Sequence, residues 1–266
     1  RDGAKMRFSH IDNGGEFDWN KSSALYAKYR NIYPDEFIAR LKNAAKIKCG
    51  MNVLDIGTGT GVIARALYCT GARFVGVDIA EKQIDGARRL AKEQGMDIDF
   101  LCSPAEEISF PENSFGAATA CQCFTYLRHE KLASKLFDVM AEGGIFAVAY
   151  MGWLPYEDDI AARSEELILK YNPRWTGCGD RPEPIDIPEC YFKFFKLETQ
   201  EVFSLSVPFS RESWHGRILS CRGVSAALSN EKLEDFSREH MQMLEKYAGE
   251  KFTVKHYGAV TALRRL

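Results

Sequence analysis

"VLDIGTGTG", Val53 to Gly61, decides the fold. The run from Met51 to Ile56, apolar apart from Asn52 and Asp55, reads as a buried parallel strand, and "VIARALY" after Gly61 sets Val62, Ile63, Ala66 and Leu67 at helical spacing. Between them lies a β-to-α turn whose three glycines, Gly57, Gly59 and Gly61, stand two residues apart. Glycine accepts positive φ and lets a ligand approach the backbone, while the new helix presents unpaired N–H groups. A turn that only packs needs one glycine; three point to a bound ligand.

Working outward, the chain repeats this rhythm. "RFVGVDI" (Arg73 to Ile79) predicts a second buried strand, and "EKQIDGARRLAKEQ" a helix with Ile84, Ala87, Leu90 and Ala91 on one face, closed at Gly95. "DIDFLC" predicts a third strand and "FGAATAC" (Phe115 to Cys121) a fourth. "HEKLASKLFDVMAEGG" predicts a helix with Leu132, Leu136, Val139 and Met140 inward, ended by its glycines, and "GIFAVAY" (Gly144 to Tyr150) a fifth strand. Such alternation implies an α/β protein with a Rossmann-like, doubly wound, mainly parallel sheet whose ligands bind beyond the carboxyl ends of the strands.

After Tyr150 the rhythm breaks. "DDIAARSEELILKY" predicts a helix, and the stretch from Asn172 to Pro188 holds four of the nine prolines, which suits a lid or binding loop. "TQEVFSLSVPF" and "FTVKHYGAVTALRRL" alternate as late strands, with "RESWHGRILSC" and "NEKLEDFSREHMQMLEKY" helical between them. Upstream, Tyr26, Tyr29 and Tyr33 recur at three and four residues beside Arg30, before a helix from Pro34 to about Lys46. That stripe reads either as packing against the core or as an arm folded over the ligand. The expected organisation is one domain over 1–266: an arm and helix over 1–45, a ligand-binding core over 46–150, and lid helices with completing strands over 151–266.

Composition narrows the partners. A net charge of −2 gives no general attraction for phosphate backbones, and the short basic pieces "ARRLAK" and "LRR" read as solvated faces, so no nucleic-acid partner is expected. The eight cysteines sit mostly in apolar segments without a C-x-x-C pair, which predicts reduced, buried thiols, no metal site and a cytoplasmic protein. No stretch reads as a signal peptide or is long enough to enter a membrane as a spanning helix; the opening "RDGAKM" reads as a trimmed end. Nothing in the pattern sets an oligomeric state.

Asp78, nineteen residues after Gly59, ends the second strand where an acid accepts hydrogen bonds from ribose hydroxyls. A dinucleotide site wants G-x-G-x-x-G; here the spacing is G-x-G-x-G, and Asp55 just before the turn would repel a pyrophosphate but suit an ammonium group.

These segments resemble the class I S-adenosylmethionine-dependent methyltransferases, within them the ubiquinone/menaquinone-methyltransferase-like group. "VLDIGTGTG" matches the first motif of that family, "GVDIAEKQIDGAR" the second; "AEEISFPENSF" is similar to its "AEELPFPDNSF", and "AEGGIFAV" to its "LKPGG" turn and fifth strand. The likeness covers about residues 45 to 150 and implies seven strands, S-adenosyl-L-methionine as cofactor and methyl transfer to a small-molecule acceptor. It also implies that Asp55 and the turn Gly57-Thr58-Gly59, closed by Gly61, hold the methionine end. Asp78 takes the ribose hydroxyls, Ile79 packs on adenine, and Ala105 and Glu106 border the adenine edge. Cys121 and Gln122 lie near the reacting methyl. Two positions depart from the pattern: Pro104 stands where an acid usually accepts from the adenine amino group, with Ser103 as a partial substitute, and Gly116 replaces an acid after Phe115.

Methyl transfer from a sulfonium is an in-line displacement that needs alignment and dryness more than a base. Tyr33, His129 and His215 are the candidate bases, each with a packing alternative, and His240 reads as a core residue. "ACQCF" stands where enzymes acting on amino groups of nucleic-acid bases carry an Asn/Asp-Pro-Pro-aromatic motif, and Cys121 follows Ala120 rather than the proline of cytosine-C5 enzymes. Trp153, Tyr156, Tyr171, Trp175 and Trp214 read as an aromatic lid or as ordinary packing. The alternatives are an RNA or protein methyltransferase of the same fold, cofactor binding without catalysis, and a nicotinamide-dependent oxidoreductase.

Overall fold

The computed structural model describes residues 5–29 and 32–266, the side chains of residues 23 and 26 excepted. Seven strands form the main sheet: β1 (Asn52–Ile56), β2 (Arg73–Asp78), β3 (Asp99–Cys102), β4 (Phe115–Cys121), β5 (Met140–Trp153), β6 (Phe195–Ser210) and β7 (Lys251–Arg265). Their order across the sheet is β3-β2-β1-β4-β5-β7-β6. Pairs β1·β2, β1·β4, β2·β3 and β4·β5 are parallel. The helices are α1 (Trp19–Tyr29), α2 (Asp35–Ala44), α3 (Val62–Leu67), α4 (Glu81–Glu93), α5 (His129–Val139), α6 (Asp159–Tyr171), α7 (Arg211–Leu219) and α8 (Asn230–Tyr247).

The chain divides into two compact units. One gathers residues 33–151, 183–203 and 258–266; the other gathers 1–32, 152–182 and 204–257. In the sheet unit, Leu54, Ile56, Val77, Ala118, Ala120, Phe146 and Val148 alternate along their strands into one core with Leu132 and Leu136 of α5. Each large side chain so buried contributes about 1.5–3 kcal/mol, which is why the near-continuous apolar runs of the sequence become central strands.

One expected boundary is corrected. "MAEGG" does not end α5; Met140 pairs with Phe115 and opens β5, while Ala117 pairs with Ile145, so residues 141–144 bulge from the ladder with Gly143 at φ 68°. The apolar period of α5 runs on through Met140, but a strand partner captures that residue, and the glycines serve a bulge instead of a helix cap.

The helical unit carries α1, α6, α7 and α8. Asp158 caps α6 by accepting from the N–H groups of Ile160 and Ala161, and Ser210 with Ser213 forms a capping box at α7. Trp153, Trp175 and Trp214 are all buried in this unit, so these lid candidates form its core; Tyr156, under the Arg181 guanidinium, is exposed, and the Tyr171 hydroxyl donates to Glu239. A partly buried ion pair of Arg222 with Asp12 (2.8 Å) fastens the amino-terminal segment. No helix among the described residues is long and apolar enough to cross a membrane. The expectation of buried thiols holds only in part: Cys121 and Cys221 are buried, whereas Cys49, Cys69 and Cys102 are exposed.

Candidate active site

The strand order reverses between β1 and β4, so the loops leaving their carboxyl ends diverge and open a crevice there. The glycine turn leaves β1 at this point, and Gln122 follows β4. Gly57, Gly59 and Gly61 have φ of 60°, 56° and 74°, a region that costs other residues about 1–2 kcal/mol. Two of them also answer to close packing. A Cβ at position 57 would lie 2.6 Å from the Cys123 side chain, and one at 61 would lie 2.8 Å from the Phe100 ring.

Asp55 sits beneath this turn. Its oxygens accept from the hydroxyls of Thr58 (2.6 Å) and Thr119 (2.7 Å), and the residue is 1 % exposed. Burial pushes its pKa up to about 6 against the pull of those hydrogen bonds. The carboxylate expected on the methionine end thus also ties the turn to β4 from below, with one hydroxyl donor on each oxygen.

Asp78 ends β2 with one oxygen accepting from the Gly59 N–H (2.9 Å) and the other from the Ala80 N–H (2.9 Å). Burial raises its pKa too, opposed by those donors. The Thr58 N–H donates to the Val77 carbonyl (3.0 Å) and the Ser103 N–H to the Asp78 carbonyl (2.9 Å), so the ends of β1, β2 and β3 are stitched into one rim. Ile79, partly buried, follows on that rim, and the Ser103 hydroxyl donates to the Pro104 carbonyl (3.1 Å). Ala105 is buried in the sheet core, and Glu106 accepts from the Arg128 N–H (2.6 Å) at the start of α5.

Gln122 has φ 62°, unusual for a residue with a side chain. Its Nε2 donates to the Met151 carbonyl (2.6 Å), yet its Oε1 is buried and unpaired. Next to it, Cys123 donates its thiol to the Ile56 carbonyl (3.2 Å), and burial holds that thiol well above its ordinary pKa, so it is inert. Cys121 is buried at the end of β4.

Two residues escaped the sequence reading. Thr60, in the turn, and Gln83, in the first turn of α4, are buried with Oγ1 and Oε1 unpaired. A buried polar atom without a partner costs about 1–3 kcal/mol, and three stand on the glycine turn and on the segments that follow β2 and β4: Thr60 Oγ1, Gln83 Oε1 and Gln122 Oε1. Gln83 could have been found, since it stands four residues before Ala87 on the inward stripe of α4.

Each candidate base has packing or hydrogen-bond partners of its own. Tyr33 stacks on Phe37 (centroids 4.9 Å apart), which is the packing alternative. His129 places Nδ1 3.2 Å from the Tyr191 hydroxyl and its ring against Phe124, inside an aromatic cluster. His215 belongs to the helical unit, bonded to His240 and Ser237. Arg30 and the side chain of Tyr26 lie outside the described residues.

A glycine turn at a switch point, with an acid closing the second strand, defines a protein that binds a nucleoside-type ligand by the Rossmann-like scheme. Comparison makes the class specific. Residues 53–144 match the methyltransferase domain family. The chain is 35% identical over 112 residues to a demethylmenaquinone methyltransferase of Thermus thermophilus, covering 41% of this chain and 51% of that protein. It is 31% identical over 163 residues to a ubiquinone biosynthesis O-methyltransferase of Chromobacterium violaceum, covering 59% and 68%. A crystal structure of a candidate methyltransferase from Bacillus halodurans shares the fold, with TM-score 0.53 at 18% identity over 85% of this chain and 97% of that one. The chain belongs to the class I S-adenosylmethionine-dependent methyltransferases, in their ubiquinone/menaquinone-methyltransferase-like group. It spans about half the length of the Thermus relative.

Proposed function

We propose that the protein is an S-adenosylmethionine-dependent methyltransferase that methylates a small-molecule acceptor. The observation that carries this reading is the pair of carboxylates, buried Asp55 and half-buried Asp78, whose hydrogen-bond partners are hydroxyls and backbone N–H groups and include no cation. Asp78 serves the ribose of either cofactor class, but Asp55 beside a G-x-G-x-G turn repels a pyrophosphate and attracts a positively charged ligand, which favours a sulfonium nucleoside over a nicotinamide dinucleotide. S-adenosylmethionine supplies, when bound, a methyl group already activated on sulfur.

The chain's own residues then bind and orient. Each Asp78 oxygen accepts one backbone N–H and keeps a further lone pair for a ribose hydroxyl. Ile79 offers an apolar face to the base, with Gln83 and Ser103 as polar groups for its edge in place of the acid that Pro104 displaces. Gln122 and Cys121 border the methionine end, and the loop Gly57-Thr58-Gly59 holds it through backbone groups. The small-molecule character of the acceptor is supported by relatives named for demethylmenaquinone and ubiquinone biosynthesis.

Calorimetric titration with S-adenosylmethionine and with its homocysteine product tests the reading. Both are expected to bind the native chain, and Asp78→Ala is expected to weaken binding by about 1–3 kcal/mol, the worth of charge-assisted hydrogen bonds. No binding to the native chain, or equal binding by the variant, removes the turn from the function. Salt-sensitive retention of RNA would shift the acceptor to a nucleic acid.

A further inference from the structure

The glycine turn leaves the carboxyl end of β1, whereas the amino-terminal ends of β1 and β2 border a second cleft, of about 310 Å³. Small-ligand sites start at about that size. Side chains two apart along β2 face the same way, and on this face burial falls from Val77, fully buried, through half-buried Val75 to exposed Arg73. The open stretch is the cleft.

Its charges are sorted by strand. Arg73 lies opposite Asn52 of β1 and leans toward it, Nη1 donating to Asn52 Oδ1 (3.4 Å), while Asn52 Nδ2 donates to the Ser114 carbonyl (3.1 Å). On the other side of β2, Asp99 lies opposite Val75, and Asp97, just ahead of β3, is pinned by its N–H, which donates to the Tyr68 hydroxyl (3.1 Å). Among the described residues, Arg73, Asp97 and Asp99 form no ion pair. A guanidinium and two carboxylates thus line one cleft, unjoined. Phe110, set edge-on against Phe115 with centroids 5.0 Å apart, gives it an aromatic wall beside Val75.

A ligand with positive charge alone is repelled by Arg73, and one with negative charge alone by the acids, so the two sides together select a molecule that carries both. Two strand spacings, about 9–10 Å, separate β1 from β3, a gap that admits an α-amino acid with a hydrogen bond of about 2.9 Å at either end. Its carboxylate matches the paired N–H groups of a guanidinium. We propose that this cleft binds a free α-amino acid with an apolar side chain, its carboxylate on Arg73, its ammonium on Asp97 and Asp99, and its side chain against Val75 and Phe110. The site lies at the opposite ends of the strands from the glycine turn and does not depend on what the turn binds.

Calorimetric titration of the full chain with L-phenylalanine, with its N-acetyl derivative and with its amide tests the site, since the derivatives lack the ammonium and the carboxylate respectively. Saturable binding of L-phenylalanine is expected, with each derivative weaker by about ten-fold or more. Arg73→Gln is expected to erase the preference over the amide alone, and the double variant Asp97→Asn/Asp99→Asn the preference over the N-acetyl derivative alone. All three side chains are exposed, so these variants should unfold at the native temperature. No saturable binding of L-phenylalanine, or equal titrations by the three probes, overturns the proposal. So does a selectivity that both variants leave intact, because the amino acid then binds elsewhere.

Discussion

Asp55 under the glycine turn and His240 and His256 of the helical unit are buried, Asp78 and His215 half-buried, and desolvation moves the carboxylates and the imidazoles in opposite directions. Asp55 rises to about 6 and Asp78 rises as well, whereas His215 and His256 fall to about 4 and His240 to about 3. At neutral pH the sheet unit thus holds negative charge that is poorly solvated and available to a cation, while the helical unit holds neutral rings. Stored charge at the rim of a parallel sheet marks binding machinery. Neutral rings among tryptophans mark packing.

Acid should separate the two units most strongly. A histidine whose folded pKa lies below its unfolded value leaves stability intact above pH 6.5 and removes it as pH falls toward the folded value. For His256 alone this amounts to about 3 kcal/mol at pH 4.5, and His215 and His240 add to it. Asp55 has the opposite sign: its raised pKa destabilises above pH 6 and that cost disappears as pH falls toward 4. Hydrogen exchange, corrected for intrinsic rates, is expected to show α7 and α8 losing protection between pH 7 and 4.5 while β1 and β2 keep theirs. Parallel loss in both units would break the comparison.

Gly57→Ala acts on the turn alone. The new methyl group lands 2.6 Å from Cys123 at φ 60°, so strain and overpacking together cost about 3 kcal/mol. Thermal unfolding should report that cost, and calorimetry should show cofactor binding lost. A variant that unfolds at the native temperature and binds normally would mean that the turn has slack.

How much of this was readable beforehand follows from the range of the interactions. Strands β1, β2 and β4 were visible because each is a near-continuous apolar run, and the turn because three glycines leave little else to infer. The fate of Met140 was hidden, since its helical period continues that of Leu132 and Leu136, and only pairing with Phe115, twenty-five residues away, overrides it. The sequence assigns Asp55 to the ligand, and nothing local says that it also accepts from Thr119 on the neighbouring strand. The unpaired atoms of Thr60, Gln83 and His256 are properties of packing and have no signature in composition.

Asp55→Asn sharpens the claim that function is held against stability. An amide of the same shape removes the poorly solvated charge, and the Thr hydroxyls can rotate to suit it. Stability at pH 7 should rise by about 2 kcal/mol, its dependence on pH between 4 and 6 should flatten, and S-adenosylmethionine should bind roughly ten-fold more weakly. A variant less stable than the native chain at pH 7 would show that the charge stabilises the loop.

Thr119→Val is the finest version of the same experiment. It keeps the β-branched shape in β4 and deletes only the hydroxyl that donates to Asp55 Oδ1 at 2.7 Å. Loss of that bond favours the protonated carboxyl by about 1 kcal/mol, so the Asp55 pKa should climb from about 6 by somewhat less than one unit. Because a positively charged ligand prefers the ionised form, the midpoint at which S-adenosylmethionine affinity falls with acid should move up by the same amount. Affinity well above that midpoint should change little. A midpoint that stays fixed while affinity drops at every pH would assign Thr119 to the shape of the crevice, and would leave Asp55 without the electrostatic role that distinguishes it from the neutral rings of the helical unit.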